Sequence, residues 1–250
     1  MVVLILSAYL IHNLLSKIPK FLDFSLKISA FSHLSILFFL IVSGFPWVNM
    51  GLSADEGPLS EAKTLLTDSE QILFVTASLG ETKGNLFFYN LEDGEWIPIF
   101  ENIPVQLGKN GIIPGEKKRE GDGHTPSNIF SIQRVLGRAK REIRNIEYTK
   151  IQKYHHWSDS STSKNYNQLI KHKEKGAVSL WDSEIYELLI VVEHNTKPAI
   201  PGFGSMIFLH PWSLDKPTSG CVGVSKEILE TIVSKLDGKK FPSLIIQMVE

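Results

Sequence analysis

Cysteine is nearly missing from these 250 residues, Cys221 being the only one. An internal disulfide and a cysteine-rich zinc site are therefore excluded, and the thiol must be free, paired between chains, or reactive. Long apolar runs are missing as well. The two apolar stretches are Met1 to Leu15 and Ile36 to Val42, and neither reaches the roughly 20 uninterrupted residues of a spanning helix, since Ser32, His33 and Ser35 break the second. A charge excess is absent too, with 26 basic against 27 acidic side chains and a net charge of −1. That balance argues against nucleic acid as a partner. No internal repeat or low-complexity tract occurs, which removes a solenoid from consideration. His155 and His156 are adjacent, so their side chains point apart, and no i+4 carboxylate or His completes a set. Neither a metal nor a cofactor is expected.

The apolar residues that are present, 43% of the chain, suffice for a sizeable core. Their order separates two regions. Residues 1–54 read as an N-terminal hydrophobic leader, in which Lys17, Lys20 and Lys27 precede the second apolar run and Gly51-Leu52-Ser53-Ala54 forms an imperfect cleavage region. The leader is either a secretory signal or an uncleaved membrane anchor, and both export the remainder to the periplasm or cell envelope. It holds no cysteine, which excludes a lipid-anchored form. Membrane contact is expected only through this segment. Residues 55–70 read as a linker or short helix and 71–250 as one domain.

Short β-branched and aromatic runs separated by Gly, Asn, Asp or Pro predict strands over Gln71 to Ser78, Asn85 to Leu91, Gly94 to Phe100, Asn128 to Gln133, Tyr186 to Glu193 and Leu244 to Val249. Helices are predicted over Ser60 to Asp68 and Ser225 to Leu236. The fold class is mainly β with a few short helices.

Cys221 sits in Thr218-Ser219-Gly220-Cys221, eleven positions after His210, which ends the run Ser205 to Leu209. A thiol attacks an acyl carbon as thiolate and needs a neighbour that takes its proton, which a neutral imidazole does near pH 7. Gly220 permits a sharp turn that aims the flanking amides at a developing oxyanion. Ser225 would cap a helix whose positive end lies near the thiol and favours the thiolate. The competing reading is a buried structural Cys and an unrelated His. His194 is a second candidate base, or a histidine that ties strand ends together.

The wording around the pair resembles the L,D-transpeptidase catalytic-domain family, whose members carry a His after a hydrophobic strand and then Ser/Thr-x-Gly-Cys. Gly121-Asp122-Gly123-His124-Thr125-Pro126-Ser127-Asn128-Ile129-Phe130 is similar to the family's Gly-Asp-Gly-x-Thr-Pro-x-Gly-x-Tyr/Phe segment, and Val192-Glu193-His194-Asn195 resembles a strand end of one branch. The resemblance covers about residues 70 to 250 and implies a β-sandwich. It also implies peptidoglycan stem peptides as substrate, carbapenem-type compounds as inhibitors, Cys221 as nucleophile, His210 as base and Gly220 in the oxyanion turn. Ser219, Thr218, His194, Asn195, Tyr166 and Asn167 are the expected substrate contacts. Three departures stand out: Ser219 where many members have His, Gly223 where they have Arg or Asn, and Asn128 in place of a glycine. A group that helps hold an anionic substrate is thus missing from its usual position.

Charge is uneven along the chain. Residues 55–108 carry 2 basic and 10 acidic groups, and 109–175 carry 15 basic and 7 acidic. The basic stretch, which includes Arg138, Lys140, Arg141 and Arg144, would either meet an anionic polymer such as cell wall or form a solvated face. The long segment from Lys153 to Lys175 reads as a flap over the site. Three functions remain open on these grounds: an L,D-transpeptidase that cross-links through a thioester, a carboxypeptidase on the same peptides, and a non-catalytic envelope-binding module. Competition between an amine and water separates the first two, and reactivity of Cys221 separates both from the third.

Overall fold

Alternating β-branched and aromatic side chains build most of the elements. The computed structural model describes residues 57–65 and 68–249. Among these, helix α1 (Pro58–Thr64) precedes β1 (Gln71–Ser78), β2 (Lys83–Glu92), β3 (Glu95–Gln106), β4 (Ile112–Pro114), β5 (Thr125–Ser131), β6 (Arg134–Gly137) and β7 (Glu147–Lys150). Then come β8 (His156–Ser158), β9 (Gln168–Ile170), β10 (Ala177–Ser179), β11 (Leu188–Val191), β12 (Phe208–Pro211), β13 (Val222–Val224), helix α2 (Lys226–Lys235) and β14 (Ser243–Val249). The leader, residues 1–54, lies outside the described residues. Among those described, no helix is long and apolar enough to cross a membrane.

Eleven strands form one ladder in the order β4-β5-β14-β1-β2-β3-β13-β12-β11-β6-β7, and β10-β8-β9 form a small second sheet. The long ladder folds over on itself. Leu73 and Val75 of β1 share a buried cluster with Val135 of β6, Ile190 of β11 and Leu209 of β12, although β1 and β6 stand far apart in the ladder. This is the mainly β sandwich that was expected. The central strand β1 reads as a nearly continuous apolar run because both its faces are covered. Leu73, Val75 and Ala77 enter the main core, while Ile72 and Phe74 meet Ala62 of α1 and Ile245 of β14 on the other face.

Helix α2 starts where the sequence places it. The Ser225 hydroxyl accepts the Ile228 N–H at 3.3 Å, and Leu229, Ile232 and Val233 fill the core. Helix α1 begins earlier and ends sooner than expected, with Pro58 in its first turn, where a fixed φ suits a helix start. A 3-10 turn over Glu184–Tyr186 removes the first residues of the strand expected from Tyr186.

Two strands carry the site. β12 and β13 run parallel, with Leu209 opposite Val222 and His210 opposite Gly223, and β13 joins β3 where Gly223 faces Gln106.

Candidate active site

Because side chains alternate along a strand, Leu209 and Val222 enter the main core while Phe208 and His210 turn to the opposite face. Cys221 packs on that same face, against the cluster that holds Phe208, Leu189, Val191 and Trp157. Thiol and imidazole thus belong to adjacent strands on one face of the sheet, diagonal to each other.

The turn before Cys221 is built from its own side chains and from the Gly121–Phe130 segment. Thr218 donates its N–H to Leu107 O at 2.8 Å, and its C=O accepts from Lys109 N–H at 2.9 Å. Its hydroxyl donates to Cys221 O at 2.7 Å and accepts Gly220 N–H at 3.1 Å. Thr125 donates to the same Cys221 oxygen at 3.4 Å. Gly220 has φ 144°, and a Cβ there would stand 2.9 Å from His124 O. Only glycine combines that dihedral with that approach. The segment Gly121–Phe130 therefore works as scaffold for the turn.

The thiol donates to Met206 O at 3.2 Å and accepts Phe208 N–H at 3.4 Å. Burial pushes its pKa from 9.0 up to about 11, opposed by the Phe208 N–H and the charge of Lys118. The expected help from a helix end is not realised. The three residues of β13 separate Cys221 from α2, which puts the helix start about 10 Å down the strand.

His210 donates from Nδ1 to Pro211 O at 2.8 Å. This bond fixes the ring and leaves the lone pair on Nε2. A backbone carbonyl therefore orients the imidazole. Burial holds the His210 pKa below the ordinary histidine value, against the raising effect of the Pro211 bond. The ring stands between two others, Tyr186 at 6.2 Å and Trp212 at 5.5 Å between centroids, both edge-on. Burial raises the Tyr186 phenol pKa, with smaller contributions from the charges of Cys221 and Asp159. Tyr186 and Cys221 pack against the same apolar cluster. Tyr186 and Trp212 were not read as site residues, because an isolated aromatic near a strand end looks like core.

The expected substrate contacts divide into two sets. Ser219 is exposed at the tip of the turn. The others are occupied within the protein. Thr218 supports the turn as described. Asn167 is buried and donates to His194 O at 3.1 Å and Asn195 O at 2.7 Å, while its Oδ1 accepts Trp157 Nε1–H at 3.0 Å and Met206 N–H at 3.1 Å. Asn195 donates to Ile200 O and Gly204 O, each at 2.9 Å. His194 lies 2.9 Å from Phe203 O, edge-on to Phe130, with its pKa lowered by burial. This contact holds the 194–204 loop together. Tyr166 donates to Glu120, which also accepts from Ser205 at 2.8 Å. The hydrogen bonds shown for these four residues are made within the protein.

The Lys153–Lys175 segment supplies β8 and β9, which with β10 make the small sheet. It is anchored by Trp157, which meets Phe208 edge-on at 4.9 Å. Three arginines of the basic stretch are tied to the fold: Arg138 donates to Trp181 O and Ser183 O, Arg141 pairs with Glu230 at 2.6 Å, and Arg144 lies 4.0 Å from Asp237. Among the described residues, no group of three or more His, Cys, Asp or Glu is placed to hold a metal.

Comparison with protein families matches residues 75–242 to the YkuD L,D-transpeptidase catalytic domain. Among solved structures, the chain is similar to a point mutant of the helical cell shape determining protein Pgp2 from Campylobacter jejuni, at 15% identity and TM-score 0.36, covering 74% of this chain and 49% of that one. The Pgp2 structure without the mutation matches at 15% identity and TM-score 0.32, covering 72% and 49%. The chain spans about half the length of these two structures. Comparison with curated proteins found no match.

Proposed function

The chain belongs to the L,D-transpeptidase catalytic-domain family, and from that membership we propose that it performs cysteine-dependent acyl transfer on peptidoglycan stem peptides in the cell envelope. The observation that carries this is the shared sheet face of Cys221 and His210, with the imidazole oriented by Pro211 O at 2.8 Å. Residues 71–250 form the catalytic domain in this reading, and 1–54 the exported leader.

In the first step Cys221 Sγ bonds to the carbonyl carbon of the L-to-D peptide bond. His210 Nε2 takes the thiol proton and returns it to the departing amine as the C–N bond breaks. The terminal D-amino acid leaves and a thioester remains. An amine of a second stem then attacks the thioester, its proton passes through His210, and the thiol is regenerated with a new peptide cross-link. Water in place of the amine gives a carboxypeptidase.

The oxyanion is best served by the Cys221 amide, because the Gly220 N–H is committed to Thr218 Oγ1. One such donor contributes about 3 kcal/mol in comparable acyl transfers. The thiol hydrogen-bonds to the backbone at 206 and 208, and thiol–imidazole contacts of free enzymes commonly tighten only with substrate bound. The raised thiol pKa and the Ser219 and Gly223 departures favour one second reading, a module that binds wall peptides without chemistry.

The test is incubation of the protein with a tetrapeptide stem and an amine acceptor, with products resolved by mass. Release of the terminal D-amino acid by wild type, and none by Cys221→Ala, is the expected result. Turnover by Cys221→Ala rejects the assignment, and binding without turnover by folded wild type selects the second reading.

A further inference from the structure

A Cβ at Gly223 would meet Trp212 Cβ at 2.5 Å and Cγ at 2.9 Å. The space where relatives carry Arg or Asn is thus filled by the Trp212 side chain, which arrives from the neighbouring strand end and lies edge-on to His210 at 5.5 Å. The indole brings a cation with it. Lys216 Nζ stands 5.1 Å from the Trp212 ring centroid, and Trp212 Nε1 donates to Lys216 O at 2.8 Å, so side chain and backbone of Lys216 are both tied to the indole. A lysine over an indole face is held by the ring quadrupole and keeps its charge toward solvent.

The loop itself is pinned from below. Gln106, opposite Gly223 on β3 and 2% exposed, donates Nε2 to Leu214 O at 2.6 Å. The carboxylate next to Lys216, Asp215, is hydrogen-bonded by the Ser213 hydroxyl.

We propose that Lys216, held over Trp212, is the residue that receives a substrate carboxylate in this chain, replacing the charge missing at Gly223. The anionic group it meets is the C-terminal carboxylate of the donor stem, on the residue that departs. This rests on the acyl-transfer reading above. The loop between His210 and Cys221 therefore sets donor preference, and the strand position is free to be glycine.

The experiment compares two donors, a tetrapeptide with a free C-terminal carboxylate and the same peptide as its C-terminal amide. Wild type, Lys216→Gln, Lys216→Glu and Lys216→Arg are each assayed at low and high salt. Wild type is expected to favour the free carboxylate in kcat/KM by about five- to tenfold at low salt, with less preference at high salt, where surface charges are screened. Lys216→Gln should abolish the preference through KM, Lys216→Glu should reverse it, and Lys216→Arg should keep it. Far-UV circular dichroism and thermal melting of each variant beside wild type control for folding. Equal donor preference in wild type and Lys216→Gln, with both enzymes active, overturns the proposal and leaves the acyl-transfer reading standing. Absence of turnover on either donor by wild type overturns both.

Discussion

In the free protein, Cys221 should be protonated and slow toward a simple alkylating agent. Burial takes its pKa from 9.0 to about 11. Thiolate fraction changes tenfold per pH unit below the pKa, so at pH 7 the thiolate is about a hundredfold scarcer than in an unperturbed cysteine. Alkylation passes through the thiolate. Iodoacetamide should therefore label Cys221 about a hundredfold more slowly than a cysteine in an unstructured peptide, with a rate that still climbs above pH 9. In the acyl-transfer reading His210 would take the proton as the bond forms, so acylation by a carbapenem should follow another profile. A histidine whose pKa is depressed stays neutral down to that pKa, so this rate should be flat through pH 7 and fall only in acid, below about 6.5. The two rates are read by intact mass against pH. Labelling at pH 7 as fast as the free peptide, with a midpoint below 9, would mean a preformed thiolate and would refute the argument from desolvation.

Two further outcomes concern the walls of the site. Asn167→Ala removes the acceptor of the buried Trp157 Nε1–H and the half-buried Met206 N–H, and an orphaned buried donor costs roughly 1–3 kcal/mol, a half-buried one less; a loss of about 2–4 kcal/mol in urea unfolding is expected, and a change below about 1 kcal/mol contradicts the role given to Asn167. Gly223→Ala forces a methyl against Trp212 and should cost about 1–3 kcal/mol, as overpacking usually does. The cost should shrink in a Trp212→Gly background, which removes the Cβ at 2.5 Å together with the indole, and an additive double mutant would show that the Trp212 side chain does not fill that space.

Much of the fold was legible in the sequence because local patterning and burial agree. The bounds Gln71–Ser78 are the same in sequence and structure, since Ile72, Phe74, Val75 and Thr76 are β-branched or aromatic and the Leu79-Gly80 turn bounds them. Strands of three or four residues, such as Val222–Val224, carry too few side chains for a period to register. The turn at Cys221 was legible in its residue types but not in its support: the Thr218 and Thr125 hydroxyls converge on Cys221 O and the Lys109 amide reaches Thr218 O only in three dimensions. Pro211 O orients His210 in the same unmarked way. Asn167 shows the converse. The family resemblance implied a substrate contact there, whereas Trp157, Met206, His194 and Asn195 converge on it only in three dimensions. Trp212 and Gly223 likewise gain meaning only together.

The most direct test of the central claim is the intact mass of the protein after incubation with a carbapenem, for wild type beside Cys221→Ala and His210→Ala. One adduct per wild-type molecule, none on Cys221→Ala and a strongly slowed one on His210→Ala is the predicted result. An adduct that persists in Cys221→Ala, or its absence from folded wild type, would contradict an acyl-accepting thiol at this site.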